Sequence, residues 1–194
     1  QPLQLVDVHL EMGDEAQARI EYDKAIGTAH TDADRLDYGL QKAMTWAREG
    51  NLAEADKAFE SVAWQAHAQR FALEAAQAHR MISLYQTDDD RALKHLAAAE
   101  LELDQPCALA EVDRQEEHAR ILRYTASRAA HAGNDGLADS TLQELESLAN
   151  TNSRDVDVQQ SYHGAAGALL MTKGKFAAAI PHLEEDNDNP YSME

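Results

Sequence analysis

The sequence predicts an all-α solenoid, because one short pattern recurs five times along its 194 residues. Each copy has a turn residue, an alanine five positions later, and usually an aromatic residue or leucine four positions after that alanine. The turns are at Gly13, Gly50, Thr87, Gly133 and Gly174, and the alanines are Ala18, Ala55, Ala92, Ala138 and Ala179. A fixed period of this size is typical of units that stack to bury a shared core.

Composition supports the helical class independently of the repeat. Hydrophobic residues make up 44% of the chain and many of them are alanine, while glycine and proline number only 9 and 4. Alanine has the best intrinsic helix propensity. Helices are therefore expected throughout.

Each repeat is predicted to contain two helices, a first helix before the turn and a second helix after it. The alanine, the larger residue and the position three further on fall on one face of the second helix. The turn glycine suits a left-handed helix end, and the Asp or Asn that usually follows it suits an N-cap. The first helices are expected at 2–12, 34–49, 69–86, 113–132 and 158–173.

The connections between repeats are less regular, since successive turns are 37, 37, 46 and 41 residues apart. Pro106 disfavours helix at the residue before it, which predicts a loop at 104–111. A polar run predicts another loop at 150–155. The break between the second and third repeats is expected at 65–69.

The last residues of the sequence predict that the repeats continue. Residues 186–190 have the composition of a turn, and residues 191–194 read as the start of another first helix. A solenoid usually ends with a polar capping helix. We therefore expect residues 1–194 to form one repeat domain of a longer protein, whose last helix exposes Phe176, Ile180 and Leu183.

The charge balance excludes some classes of partner. Seventeen Lys and Arg against 35 Asp and Glu give a formal charge of −18, which disfavours nonspecific binding to nucleic acid or to anionic membranes. Membrane insertion is not expected, because no run of 18 apolar residues occurs. Cys107 is the only cysteine, so neither an intrachain disulfide nor a cysteine zinc site is predicted, and the compartment stays open.

The repeated residues resemble the tetratricopeptide (TPR) repeat family. Its pattern of a Gly-Asp or Gly-Asn turn, then alanine, an aromatic residue and alanine is matched most fully around Gly13 and Gly50, with Tyr22 and Phe59 at the aromatic place. Trp46 and Gly167 fit places in the family's first helix. The units are longer than the family's usual length of about 34 residues. The resemblance implies a right-handed solenoid of about five repeats, with a concave groove that the first helices line and that binds proteins or peptides.

The resemblance also implies candidate peptide-binding residues. One subclass of the family holds a C-terminal carboxylate with cationic and amide side chains, but the matching positions here are Leu40, Met44, Glu74 and Ala78, so this clamp is not predicted. The groove positions are Leu40, Met44, Gln77, Met81, Arg120, Arg123, Ser127, Ala168 and Met171. Arg120 and Arg123 are expected to be partly exposed and available to an acidic group, although they could instead only offset Glu116 and Glu117.

Sequence patterns of catalysis, cofactor binding and metal binding are absent. None of the nine histidines forms an HxxxH or HExxH motif, and His182 with Asp186 is expected to be a surface pair. Glu116, Glu117 and His118 are consecutive on a helix, so they are predicted to diverge on a solvated face. The glycines of 164–167 are expected to permit close helix packing. No enzyme activity, cofactor or metal is predicted.

The leading hypothesis is a non-catalytic protein- or peptide-binding scaffold that uses the concave face of its first helices. Two alternatives remain. The chain could be a regulatory or sensory segment of a larger enzyme or transcription factor. It could also self-associate through its end repeats.

Overall fold

The computed structural model describes residues 2–106 and 108–186, and ten α-helices form most of this part of the chain. In chain order they are α1 (Pro2–Glu11), α2 (Glu15–Thr28), α3 (Asp32–Arg48), α4 (Leu52–Gln69), α5 (Ala72–Tyr85), α6 (Asp89–Leu103), α7 (Glu111–His131), α8 (Asp135–Thr151), α9 (Val156–Thr172) and α10 (Phe176–Glu185). The described residues contain no β-strand. The predicted all-α class is confirmed.

Each helix packs against the next one along the chain. In addition, α3 contacts α5, α5 contacts α7, and α7 contacts α9. The predicted first helices are the odd-numbered ones, and their bounds agree with the sequence prediction to within a few residues. This packing of consecutive helices is consistent with a helical repeat.

The repeated alanines are buried on the even-numbered helices. All five are at most 1% exposed, namely Ala18, Ala55, Ala92, Ala138 and Ala179. Tyr22, Phe59 and Leu96, four positions after the first three alanines, are also buried. A larger residue at any of these alanines would overpack the interface, at a cost of about 1–3 kcal/mol. The predicted burial of the alanines is confirmed.

The glycine turns have the conformation that the sequence predicts. Their φ angles are 70° at Gly13, 77° at Gly50, 74° at Gly133 and 68° at Gly174. This left-handed region is open to glycine without steric cost. The side chains of the following Asp14, Asn51 and Asn134 each accept a hydrogen bond from a backbone N–H in the first turn of the next helix.

Two of the connections without glycine show how a helix can end in another way. At Thr87 the chain leaves α5 through extended backbone at Gln86, and Asp88 caps α6. Between α4 and α5, Arg70 takes a left-handed φ of 64°, and its N–H bonds to carbonyls of the last turn of α4. The predicted break at 65–69 is therefore wrong by a few residues, because a left-handed residue that satisfies the helix end need not be glycine.

The loop predictions are confirmed in part. Residues 104–106 and 108–110 lie between α6 and α7 as expected, whereas α8 continues to Thr151, so the loop expected at 150–155 begins later. Cys107, the rest of the expected turn at 187–190 and the expected helix start at 191–194 lie outside the described residues. Within the described part of the chain, none of the helices combines the length and apolarity needed to cross a bilayer.

The last helix confirms the expected apolar stripe at two positions out of three. Phe176 is 60% exposed and Ile180 is 55% exposed. Leu183 is instead half-buried, because it packs where a Cβ atom on Gly167 would lie. The predicted packing role of Gly167 is thereby confirmed.

Candidate functional site

The candidate groove residues all lie on odd-numbered helices. Leu40 and Met44 are on α3, Gln77 and Met81 on α5, Arg120, Arg123 and Ser127 on α7, and Ala168 and Met171 on α9. The odd-numbered helices from α3 to α9 also contact one another in series. The candidates are therefore distributed along one continuous row of helices.

The apolar candidates differ in their accessibility. Leu40 is only 5% exposed and belongs to the core between α3, α4 and α5. Met44 and Met81 are half-buried and pack against the same core. Met171 is 44% exposed. Met44 and Met81 keep some accessible surface, whereas Leu40 is a core residue.

Arg120 is held by three carboxylates. Its Nη2 lies 2.6 Å from Asp157 on α9 and 3.6 Å from Glu116, and its Nη1 lies 3.7 Å from Glu117. Burial disfavours the charged guanidinium, but the hydrogen bond and negative charge of Asp157, together with the two glutamates, raise the pKa of Arg120 above its ordinary value. About a third of its side chain stays exposed, at 32%.

Arg123 is more completely enclosed. Its Nη1 and Nη2 donate to the two carboxylate oxygens of Asp186 at 2.8 and 2.7 Å, and its side chain is 15% exposed. A side chain on Gly164 would overlap the guanidinium, so this glycine makes room for it. Ser127 donates its hydroxyl to the Arg123 carbonyl oxygen at 2.9 Å. Both arginines form ion pairs within the chain, so the expectation that at least one of them stays unpaired is wrong.

A third ion pair was not foreseen from the sequence. Arg80 on α5 donates through Nε and Nη2 to Glu117 on α7 at 2.6 and 3.2 Å, and the Glu117 side chain is fully buried. The prediction that Glu117 lies on a solvated face is therefore wrong. Arg80 and Glu117 are 37 residues apart, as are Arg120 and Asp157, whereas the turns of the repeats that these pairs connect are 46 and 41 residues apart. The repeat spacing therefore could not have revealed either pair.

We call these contacts the ion-pair series, which consists of Arg80, Glu117, Arg120, Asp157, Arg123 and Asp186. It links α5 to α7, α7 to α9, and α7 to the residue that follows α10. Because each cation meets at least one carboxylate, the face of these helices carries no excess of positive charge. The partly exposed carboxylates beside Arg120 therefore give this face a negative charge.

Three carboxylates come together beside this series. Single oxygens of Glu116, Asp155 and Asp157 lie within 4.8 Å of one another. Burial and the charge of Asp157 raise the pKa of Glu116, while Arg120 lowers it. Asp157 is already paired with Arg120. This acidic cluster is thus partly neutralised by a cation of the same chain.

Histidines from neighbouring helices form two pairs. The Nδ1 atoms of His79 on α5 and His95 on α6 lie 3.1 Å apart, and those of His163 on α9 and His182 on α10 lie 3.0 Å apart. Burial and the neighbouring His95 and His67 lower the pKa of His79 to about 4. A search for histidines four apart on one helix could not detect pairs that are 16 and 19 residues apart and span two helices.

Two cavities open near these groups. One of about 410 Å³ is lined by Arg154, Asp155, Val156, Gln159, His163 and Glu185, among others. Another of about 220 Å³ is lined by Glu100, Leu103, Asp104, Arg114, His118 and Glu144. In the second cavity, His118 Nε2 lies 3.9 Å from Glu100 and 3.7 Å from Glu144, beyond hydrogen-bond distance.

Comparison with known proteins adds no relative to this description. No protein-family model matches the chain, and no curated protein or solved structure matches it either.

Proposed function

We propose that this chain is a non-catalytic protein- or peptide-binding scaffold, built as a right-handed TPR-like solenoid. The observation that carries the proposal is the serial contact of α3, α5, α7 and α9, on top of the contact of each helix with its neighbour. Stacked helix pairs of this kind create an extended surface on which one ligand can meet several repeats.

The ion-pair series supports a binding role because it fixes three of these helices relative to one another. Arg80 with Glu117 and Arg123 with Asp186 are two-point contacts with little solvent exposure. A surface that is already ordered loses less conformational entropy when a ligand binds. Rigid presentation of side chains is what a peptide-binding scaffold requires.

The charge of this face favours a basic ligand. Both candidate arginines are paired, whereas Glu116, Asp155 and Asp157 leave part of their carboxylates accessible beside them. The whole chain carries a formal charge of −18, which attracts cations at long range. We therefore propose a peptide that combines a Lys or Arg with apolar residues, the latter contacting half-buried methionines such as Met81.

The test is selection of peptides from a random library on the immobilised chain, followed by affinity measurements on variants. Glu116→Gln on α7 and Met81→Ala on α5 should each weaken the selected peptides by at least about fivefold, the change that corresponds to 1 kcal/mol. Trp64→Ala is the matched control, because Trp64 is 72% exposed but lies on the even-numbered α4. Peptides sensitive to Trp64 alone would place binding on the opposite helices and contradict the proposal.

A second candidate function, self-association of end repeats, is favoured by exposed apolar residues at both ends of the helix series. On α1 these are Leu3, Leu5 and Val8, followed directly by Met12 at 74% exposure, and on α10 they are Phe176 and Ile180. Two unlike apolar patches can pair head to tail. Ile180→Asp and Leu5→Asp should then each abolish a concentration-dependent increase in sedimentation coefficient. Sedimentation that is independent of concentration in the unaltered chain would exclude it.

The remaining alternative, a regulatory or sensory segment of a larger enzyme or transcription factor, makes a different prediction. The chain would then bind a small ligand or other domains of the same protein, and no peptide would be selected from a random library. The peptide selection above therefore separates it from the scaffold proposal.

A further inference from the structure

His163 and His182 face each other across the contact between α9 and α10. Their Nδ1 atoms are 3.0 Å apart and their ring centroids 5.2 Å apart. A neutral imidazole has one nitrogen that donates and one that accepts. In this pair one Nδ1 must donate to the other, unless an ion takes the place of the shared proton.

The separation of the two nitrogens suits a shared metal ion. Zinc binds histidine nitrogens at about 2.0–2.1 Å, so two such ligands at right-angle to tetrahedral geometry are about 2.9–3.4 Å apart. The observed 3.0 Å lies within that range. An ion could therefore bind both rings without a change in the helix contact.

Neighbouring groups hold the two rings in place. The ring of Tyr162 makes edge contacts with both, at centroid distances of 5.1 Å to His163 and 5.9 Å to His182. Leu183, next to His182, packs into the space that Gly167 leaves open on α9. Ligands that are already ordered favour binding, because the entropic cost of fixing them is reduced.

Metal ions bind a histidine nitrogen that carries no proton, so an ion would compete with protons for this pair.

An entry path lies beside the pair. His163 lines the cavity of about 410 Å³ together with Arg154, Asp155 and Glu185. Asp186, in contrast, is bound to Arg123. Among the described residues no carboxylate oxygen lies within 4.8 Å of both histidine nitrogens, so water supplies the remaining ligands.

The other histidine pair is a poorer candidate despite its similar geometry. Burial and the positive charge of nearby Arg91 lower the pKa of His95, and that charge would also repel a metal ion. The acidic cluster of Glu116, Asp155 and Asp157 offers only carboxylates, one of which already pairs with Arg120. The pair between α9 and α10 instead borders the cavity of about 410 Å³, through which an ion can enter.

We propose that His163 and His182 bind a divalent transition-metal ion of the zinc or nickel type, with water as the remaining ligands, and that the ion fastens α10 to α9. Imidazole suits these metals, whereas Mg²⁺ prefers oxygen ligands. The inference does not depend on the proposed scaffold function.

The experiment is thermal unfolding of the whole chain with ZnCl₂, and with MgCl₂ as the control for general cation binding. Zn²⁺ should raise the Tm in a saturable manner and Mg²⁺ should not, since an ion that binds only the folded state stabilises it. His163→Ala and His182→Ala should each lower the Zn²⁺ affinity by more than about 10-fold, the smaller of the losses caused by changes around a metal site. His95→Ala, in the other pair, should leave the affinity unchanged.

Two further measurements keep the proposal open to refutation. If an alanine variant does not fold, His182→Gln keeps a polar side chain of similar reach and should also lose Zn²⁺ binding. Co²⁺ should give visible d–d absorption that both histidine substitutions remove and that weakens as the pH falls. An unchanged Tm in ZnCl₂, or the same zinc response in the His163→Ala, His182→Ala double variant, would overturn the proposal.

Discussion

The contact between α5 and α7 and the contact between α7 and α9 are both bridged by an arginine and a carboxylate 37 residues apart, but they differ in burial. Arg80 is 13% exposed and Glu117 fully buried, whereas Arg120 is 32% and Asp157 47% exposed. The approach of the two helices determines which residues meet. The burial of each ion pair determines how strongly the stability of the protein depends on it, because burial removes the water that would otherwise solvate an unpaired charge.

The largest expected effect is that of Arg80→Ala, which leaves Glu117 buried without its two-point partner. We expect a loss of about 3–5 kcal/mol in the free energy of unfolding, measured with urea. The matched double variant Arg80→Met, Glu117→Leu should recover most of this loss, because apolar residues can replace a buried ion pair. A single variant within about 0.5 kcal/mol of the unaltered chain, the usual range for surface changes, would mean that burial does not control this contact.

A smaller effect is expected for Asp186→Ala, which removes the carboxylate that Arg123 contacts through both terminal nitrogens. Hydrogen bonds to charged groups contribute about 1.5–3 kcal/mol, and a loss of that size is expected in urea unfolding. Asp186→Asn keeps one acceptor and should lose less. Equal stability of the alanine variant, the asparagine variant and the original chain would show that this second bridge from α7 is not needed.

The smallest effect is expected for Asp157→Ala, because Arg120 keeps Glu116 and Glu117 nearby and the pair is accessible to water. The loss should be below about 1 kcal/mol. It should shrink further in concentrated salt, which screens exposed charges. A loss as large as that of Arg80→Ala would erase the difference between the two contacts.

The sequence anticipated the helices better than it anticipated the candidate site. Turn glycines, N-caps and the buried alanines were all predicted, because each depends on residues within a few positions of one another. Arg123 shows the limit of that approach. Its partner Asp186 is 63 residues away, so an arginine expected to meet a ligand is enclosed by its own chain.

Two boundary errors have a related cause. Arg70 ends α4 in a left-handed conformation, which we had expected only of glycine. α8 extends to Thr151, into a polar run that was expected to be a loop. In both places the carbonyls at the helix end are satisfied by backbone or side-chain donors. Helix ends that lack glycine or proline are decided by such hydrogen bonds and not by composition.

By itself, the sequence determined the helical class, the positions of the turns and the alanines at the helix contacts. Helix periodicity, left-handed glycine and capping act over a few residues, so a single chain displays them directly. Only the tertiary structure decided which charges pair, that Glu117 is buried, and that His163 meets His182. Those outcomes depend on how two helices approach each other, and no local pattern records the distance between side chains on different helices.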